Sequence, residues 1–196
     1  LKETINAVNT ILKINEKVVL MQCNTNYTNE LDNFNFINLK ALNQFKKIFK
    51  QKIILGLSDH TPGHASVLGA ITMGARVVEK HFTDDNDREG PDHKFSLNPK
   101  TWAEMIKASR ELEKSLGDGF KKLEKNERDS VIVQRRGVWT NKKLFKNKIL
   151  KTSDVKLLRP CPKNSISPFN IEKYFGKKLK KNIDKDTIIT KKCFVL

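Results

Sequence analysis

Cysteine is scarce in this sequence of 196 residues: Cys23, Cys161 and Cys193 are odd in number, far apart and form no C-x-x-C pair. That pattern excludes a disulfide framework and a thiolate zinc site, and three reduced thiols are expected. Cys23 lacks the partners of a catalytic thiol and reads as a small buried residue. Long apolar runs are also missing. No stretch approaches the roughly 18 residues needed to span a bilayer, and no basic-then-apolar leader opens the chain, so a cytoplasmic protein without a membrane partner is expected. Neither G-x-x-x-x-G-K nor G-x-G-x-x-G occurs, which leaves nucleotide and dinucleotide binding without support. The chain opens on Leu1 rather than Met and enters at once with the helical spacing Leu1, Ile5, Val8, Ile11, Leu12; further residues upstream are therefore expected.

Acidic residues are in deficit overall, with 22 Asp+Glu against 38 Lys+Arg and a formal net charge of +16. The distribution decides what this means. Residues 1–118 carry 16 basic and 15 acidic side chains, whereas residues 119–196 carry 22 and 7. A basic segment could grip a polyanion, and a nucleic-acid-binding module is the alternative reading of this half. Its lysines are scattered between apolar positions, however, and it has few aromatics on which bases could stack, so nucleic acid is not the expected partner.

Three short stretches are nearly continuously apolar and rich in β-formers: 18–23, 53–57 and 76–82. Helical spacing lies between and after them, at Ile37, Leu39, Leu42, Phe45, Ile48 and Phe49, at Ala65, Val67, Leu68, Ala70 and Ile71, and beyond Pro99 at Trp102, Met105, Ile106, Ser109, Leu112 and Leu116. Strand–helix alternation of this kind predicts an α/β fold with a parallel sheet covered by helices. Three such units are too few for a closed barrel; in a barrel of eight, about five would precede Leu1. Around Gly117-Asp118-Gly119 the pattern changes to a charged connector. We therefore divide the chain into an α/β part at 1–118, a linker at 119–130 and a small, irregular β domain at 131–196, with Val131-Ile132-Val133 expected as its first strand.

Polar residues gather just past the three predicted strands: Asn24 to Tyr27, Ser58 to His64, and Thr83 to His93. Carboxyl ends of parallel strands are where α/β enzymes place their chemistry. His60 and His81 would stand at the ends of neighbouring strands about 4.8 Å apart, so their imidazoles could converge on one divalent transition metal with open positions. Hydrogen-bonded histidines at strand ends would satisfy the same spacing. Asp59, Glu79, Asp84, Asp85, Asp87 and Asp92 surround them in the sequence. Asp85, Asp87 and Glu89 read as a solvated acidic loop, whereas Glu79, in an apolar strand with a histidine two residues later on the same face, would point into a core and needs a partner. Gly63, with Thr61 and Ser58, could let a backbone approach a phosphate, or could simply serve a turn.

The runs MQCNTNY at 21–27, GLSDHTPGH at 56–64 and VVEKHFTDDNDREGPDHKFS at 77–96 resemble, in this order, the N-acetylneuraminate (sialic acid) synthase family. The likeness continues through Gln134-Arg135-Arg136 and Leu157-Leu158-Arg159-Pro160 to Gly176-Lys177. It implies the C-terminal portion of a (β/α)8 TIM barrel followed by a small β-rich antifreeze-like (β-clip) domain. It also implies condensation of phosphoenolpyruvate with N-acetylmannosamine or a related N-acetylated amino sugar, giving a nine-carbon 2-keto-3-deoxy acid and phosphate. Legionaminic or pseudaminic acid synthesis are variants within the family. By the same resemblance, His60 and His81 hold a divalent metal, Mn2+ first with Mg2+ or Co2+ as alternatives. Thr25 and Ser58 contact the phosphate of phosphoenolpyruvate, Tyr27 and Asp92 lie near the sugar, and Glu79 and Asp92 take the catalytic carboxylate positions. Arg159 is lent to the partner subunit of a domain-swapped homodimer. Departures from the family pattern are Gly137, where serine is usual, and Asn147 and Asp186, where turns commonly carry glycine. Ligands and lysines from the strands before Leu1 are expected to be needed, so these residues alone are expected to be inactive.

Overall fold

A computed structural model describes residues 1–28 and 30–195. They form two compact units, Leu1–Phe120 and Lys121–Leu196.

In the first unit, strands β1 (Val19–Cys23), β2 (Ile54–Asp59) and β3 (Val77–Lys80) form a parallel sheet in the order β1-β2-β3. Helices α1 (Lys2–Leu12), α2 (Ala41–Phe49), α3 (Ala65–Thr72) and α4 (Pro99–Leu116) complete it. Period-two alternation gives the sheet two unlike faces. Leu55 and Leu57 pack with Val8, Leu42, Phe45, Val67, Ala70 and Met105 into the buried core on the helix side. Val19, Met21, Cys23, Ile54, Gly56, Ser58, Val77 and Glu79 alternate onto the other face. There Val19, Cys23, Ile54 and Glu79 are exposed. Cys23 is thus exposed rather than buried, because its parity in β1 turns it away from the helices.

Helix α4 starts where chemistry demands it: the Asn98 side chain accepts from the Thr101 backbone N–H, the Thr101 hydroxyl caps in return, and Pro99 occupies the first turn. Helix α2 begins later than its apolar spacing suggests. Residues 31–36 form a 3-10 helix instead, and Asn38 adopts a positive φ of 50° that interrupts the pattern before Ala41.

The second unit opens with helix α5 (Arg128–Gln134), which corrects the expectation of a strand at Val131-Ile132-Val133. The Glu124–Glu127 capping interaction and Asp129 in the first turn favour a helix N-terminus, which outweighs the β-branched side chains. Strands β4 (Gly137–Thr140) and β5 (Val155–Leu158) pair antiparallel. Isolated bridges such as Leu144–Ile183 and Leu179–Phe194 tie turns around a core of Val138, Leu144, Leu150, Leu179 and Ile189. Asn147 and Asp186 take φ of 66° and 60°, so both turns keep a left-handed residue, which Asn and Asp tolerate better than other non-glycine types. Gly137 also has a steric reason: a Cβ there would lie 3.0 Å from the Pro160 carbonyl oxygen and 2.7 Å from Ile188 Cδ1.

Asp154 is the one charged side chain buried in this second core, 1% exposed. Burial alone would push its carboxyl up. A hydrogen bond from the Lys151 backbone N–H and the nearby Lys142 and Lys148 ammonium groups more than offset this and hold it below the ordinary carboxylate value. Oδ1 receives no well-aligned hydrogen bond; Lys142 Nζ at 3.1 Å and Lys148 Nζ at 3.6 Å serve it as charge partners. A depressed carboxyl contributes stability at pH above its unfolded value of about 3.9 and loses it as pH falls through the folded value. We expect Asp154→Asn to cost about 1–3 kcal/mol at pH 7. The melting temperatures of variant and parent should converge on acidification below about pH 4. A gap that stays constant from pH 7 to pH 3 would contradict this account.

Candidate active site

The β2–β3 ladder pairs Ser58 with Glu79 and Asp59 with Lys80, so the next residues of both strands, His60 and His81, emerge side by side on the open face. Their ring centroids are 5.1 Å apart in an edge-to-face arrangement. The Tyr27 ring, carried on the segment after β1, lies 4.3 Å from His60 and 5.4 Å from His81. Phe95 closes the group at 5.0 Å from His81, 6.2 Å from Tyr27 and 6.4 Å from His60. Two imidazoles therefore sit between an exposed tyrosine and a buried phenylalanine.

His60 is buried, and its Nδ1 lies 2.8 Å from the Asn24 carbonyl oxygen. A carbonyl only accepts, so Nδ1 carries a hydrogen, and in the neutral ring Nε2 is the nitrogen with a free lone pair. Such an outer carbonyl partner is the usual means of orienting a metal-binding imidazole. His81 is partly open, and its Nδ1 faces Asp92 Oδ2 at 3.6 Å. Two imidazole nitrogens on adjacent strand ends could hold a borderline divalent ion with further positions left open. Among the described residues no group of three or more His, Cys, Asp or Glu is arranged to hold a metal. The donor set that fits is this histidine pair, not a closed cage.

Glu79 corrects an expectation: it is exposed on the open sheet face rather than pointing into a core. Its partner is Ser58, whose hydroxyl donates to Oε1 at 2.7 Å. Asp59 turns the other way, under α3, where it pairs with Lys80 and takes no place beside the imidazoles. Asp84 forms an exposed ion pair with Arg88, which holds its carboxyl below the ordinary value; Asp85 and Asp87 are exposed loop residues. Asp92 alone of the loop carboxylates approaches a histidine. The loop that carries it is cross-tied: the Asn86 amide donates to the His93 and Ser96 carbonyls, the Ser96 hydroxyl donates to the Asp92 carbonyl, and Thr83 Oγ1 lies 2.8 Å from His93 Nδ1. Thr25 is exposed on the segment that bears Tyr27. Arg159 belongs to the second unit, is exposed, and donates from Nε to the Gln134 carbonyl. Phe95 and the Asn86 cross-tie escape a reading of the sequence because they lie in a loop without periodicity. The only hint of them is polar density between Asp84 and Asn98.

The first unit is thus a parallel α/β unit with a paired-imidazole site at the carboxyl ends of adjacent strands. The chain belongs to the NeuB family, whose model matches residues 1–121. It is 36% identical over 174 residues to the N,N'-diacetyllegionaminic acid synthase of Campylobacter jejuni, covering 89% of this chain and 50% of that protein. It is 29% identical to the human N-acetylneuraminate-9-phosphate synthase over 188 residues, 95% of this chain and 51% of that one. A crystal structure from Chromobacterium violaceum, assigned as a spore coat polysaccharide biosynthesis protein E, matches the whole chain and 58% of its own with a TM-score of 0.65 at 22% identity, a likeness of fold. The chain spans about half the length of the curated relatives it matches. No helix among the described residues is long and apolar enough to cross a membrane.

Proposed function

We propose that this chain supplies part of the active site of a sugar-acid synthase that condenses phosphoenolpyruvate with an N-acetylated amino sugar. The products are a nine-carbon 2-keto-3-deoxy acid and inorganic phosphate. The observation that carries this reading is the convergence of His60 and His81, 5.1 Å apart between Tyr27 and Phe95, in a chain of the NeuB family. In this reading residues 1–120 are the last three strand–helix units of a (β/α)8 barrel. A divalent metal, Mn2+ before Mg2+ or Co2+, would be held by His60 and His81 and would act as a Lewis acid on the sugar aldehyde.

The remaining work falls to side chains. C3 of phosphoenolpyruvate bonds to the aldehyde carbon, water adds at C2, and the C2–O bond to phosphate breaks. The added water loses two protons as C2 becomes a ketone; one leaves with the phosphate, and the former aldehyde oxygen must gain the other. Glu79, exposed beside Ser58, and Asp92, facing His81, are the carboxylates placed to carry that proton. Thr25 and the Ser58 hydroxyl hold the phosphate, and Tyr27 forms a wall against the sugar. The second unit takes the antifreeze-like role and lends Arg159 to the partner in a domain-swapped homodimer. Similarity to the Campylobacter jejuni synthase over 89% of the chain reaches past residue 121, so the second unit too has a counterpart in that synthase.

The test is phosphate release by the full-length protein with phosphoenolpyruvate, Mn2+ and either N-acetylmannosamine or a 2,4-diacetamido sugar. We expect turnover with one of these sugars and its loss in His81→Ala. Phosphate release unaffected by that substitution would reject the reading. The names of the relatives favour the diacetamido sugar as the better substrate.

A further inference from the structure

Behind the imidazole pair, on the opposite face of the same two strand ends, lies an ion pair. Asp59 and Lys80 are direct partners in the parallel ladder, and each immediately precedes one of the histidines. Lys80 Nζ is 2.7 Å from Asp59 Oδ2, with both side chains at most 1% exposed. Lys80 also donates to the Thr61 carbonyl. The other carboxylate oxygen of Asp59 accepts from the Thr61 N–H at 3.1 Å and from the Thr61 hydroxyl at 2.8 Å, and that hydroxyl reaches Ser66 Oγ in α3 at 3.2 Å. Lys80 therefore joins the end of β3 both to the end of β2 and to the turn that follows His60, while the Thr61 bonds tie that turn to Asp59 and to α3.

Burying a lysine and an aspartate is a poor way to gain stability. Desolvation costs about as much as the pair returns, and apolar residues of similar volume usually fold as well or better. What a hydrogen-bonded ion pair supplies and an apolar pair does not is direction and register. Here the register in question separates His60 from His81. We propose that Asp59 and Lys80 are positioning residues that set the spacing and orientation of the two imidazoles, acting through the backbone from the far side of the sheet. This rests on the reading of His60 and His81 as a metal site. Its consequence is a division of labour: the ladder brings the strands together, the Asn24 carbonyl orients one ring, and the buried pair locks the two strand ends against sliding or splaying.

The test is Mn2+ binding to the full-length protein without substrate, followed by the electron paramagnetic resonance signal of free Mn2+, beside thermal melting of the same samples. In Asp59→Leu/Lys80→Met both charges are removed together. We expect a melting temperature within a few degrees of the parent, and Mn2+ affinity lowered about 10- to 100-fold, the range for loss of groups that orient metal ligands. Undiminished Mn2+ affinity in the double variant would overturn the proposal. So would a loss of affinity that merely tracked a loss of folded protein. Should the double variant not fold, Asp59→Asn, which keeps the acceptor for Thr61, is measured in the same way, and unchanged affinity in that folded variant counts equally against us. His60→Ala and His81→Ala separate the two readings. If they leave Mn2+ binding intact, the metal site itself is wrong and the positioning role falls with it. If they abolish binding while the double variant does not, only the positioning role falls.

Discussion

Replacing His60 by alanine in the full-length protein should lower kcat for phosphate release by about 10^3-fold or more, equivalent to about 4 kcal/mol of transition-state stabilisation. On the proposed reading this removes one of the two nitrogen donors to the metal, together with the Nδ1 hydrogen bond to the Asn24 main-chain carbonyl and the ring's packing against Tyr27. The ring is buried, and among the described residues no third His, Cys, Asp or Glu is grouped with the pair to take the place of Nε2. Excess Mn2+ should therefore not restore the rate. His64 provides the comparison: it stands only four residues away, at the N-terminal end of α3, and makes no side-chain cap. His64→Ala should retain activity within about threefold, since this half-buried ring caps nothing and changes away from special features are worth only about 0.5 kcal/mol. Equal losses at both positions would mean that the loop, and not the imidazole, is what matters.

The three strands of the first unit are legible because parallel strands read as short apolar runs, and His60 and His81 are legible because each follows such a run directly. Which face a residue occupies is harder to see. Glu79 and Asp59 are both carboxylates within two residues of a histidine, yet one stands exposed on the site face and the other is sealed beneath α3. Only the ladder register, with Ser58 opposite Glu79 and Asp59 opposite Lys80, separates them. Cys23 fails for the same reason: apolar neighbours imply burial, but its parity puts it on the face the helices leave open. The helix at 128–134 was hidden by Val131, Ile132 and Val133, whose β preference is weaker than an acidic, capped N-terminus. Phe95 was invisible because nothing local marks a loop phenylalanine as part of a cluster assembled from three separate strand ends. The turns at Asn147 and Asp186 were marked only through the family resemblance, as places where glycine is common, and both residues do take a positive φ.

The second unit should respond most strongly to a cavity at its centre. Leu179 is fully buried, bridges to Phe194 and packs in the cluster with Leu144, Leu150 and Ile189, while its own N–H donates to the Lys148 carbonyl. Leu179→Ala leaves that hydrogen bond in place and deletes only buried methyl groups and their contacts, so about 3–4 kcal/mol should be lost. At 0.05–0.15 kcal/mol per residue, a unit of this size holds roughly 4–11 kcal/mol in all, so the substitution would consume a large part of its stability. Limited proteolysis of the full-length protein should then cut first between residues 121 and 195 while the first unit persists. Phe169, 91% exposed, is the counterpart: Phe169→Ala deletes a larger side chain but almost no buried surface, and should leave the proteolysis pattern unchanged. If the two substitutions sensitise the protein equally, the compact core around Leu179 does not hold this unit together. Its bridged turns would then owe their stability to a covering partner rather than to their own packing.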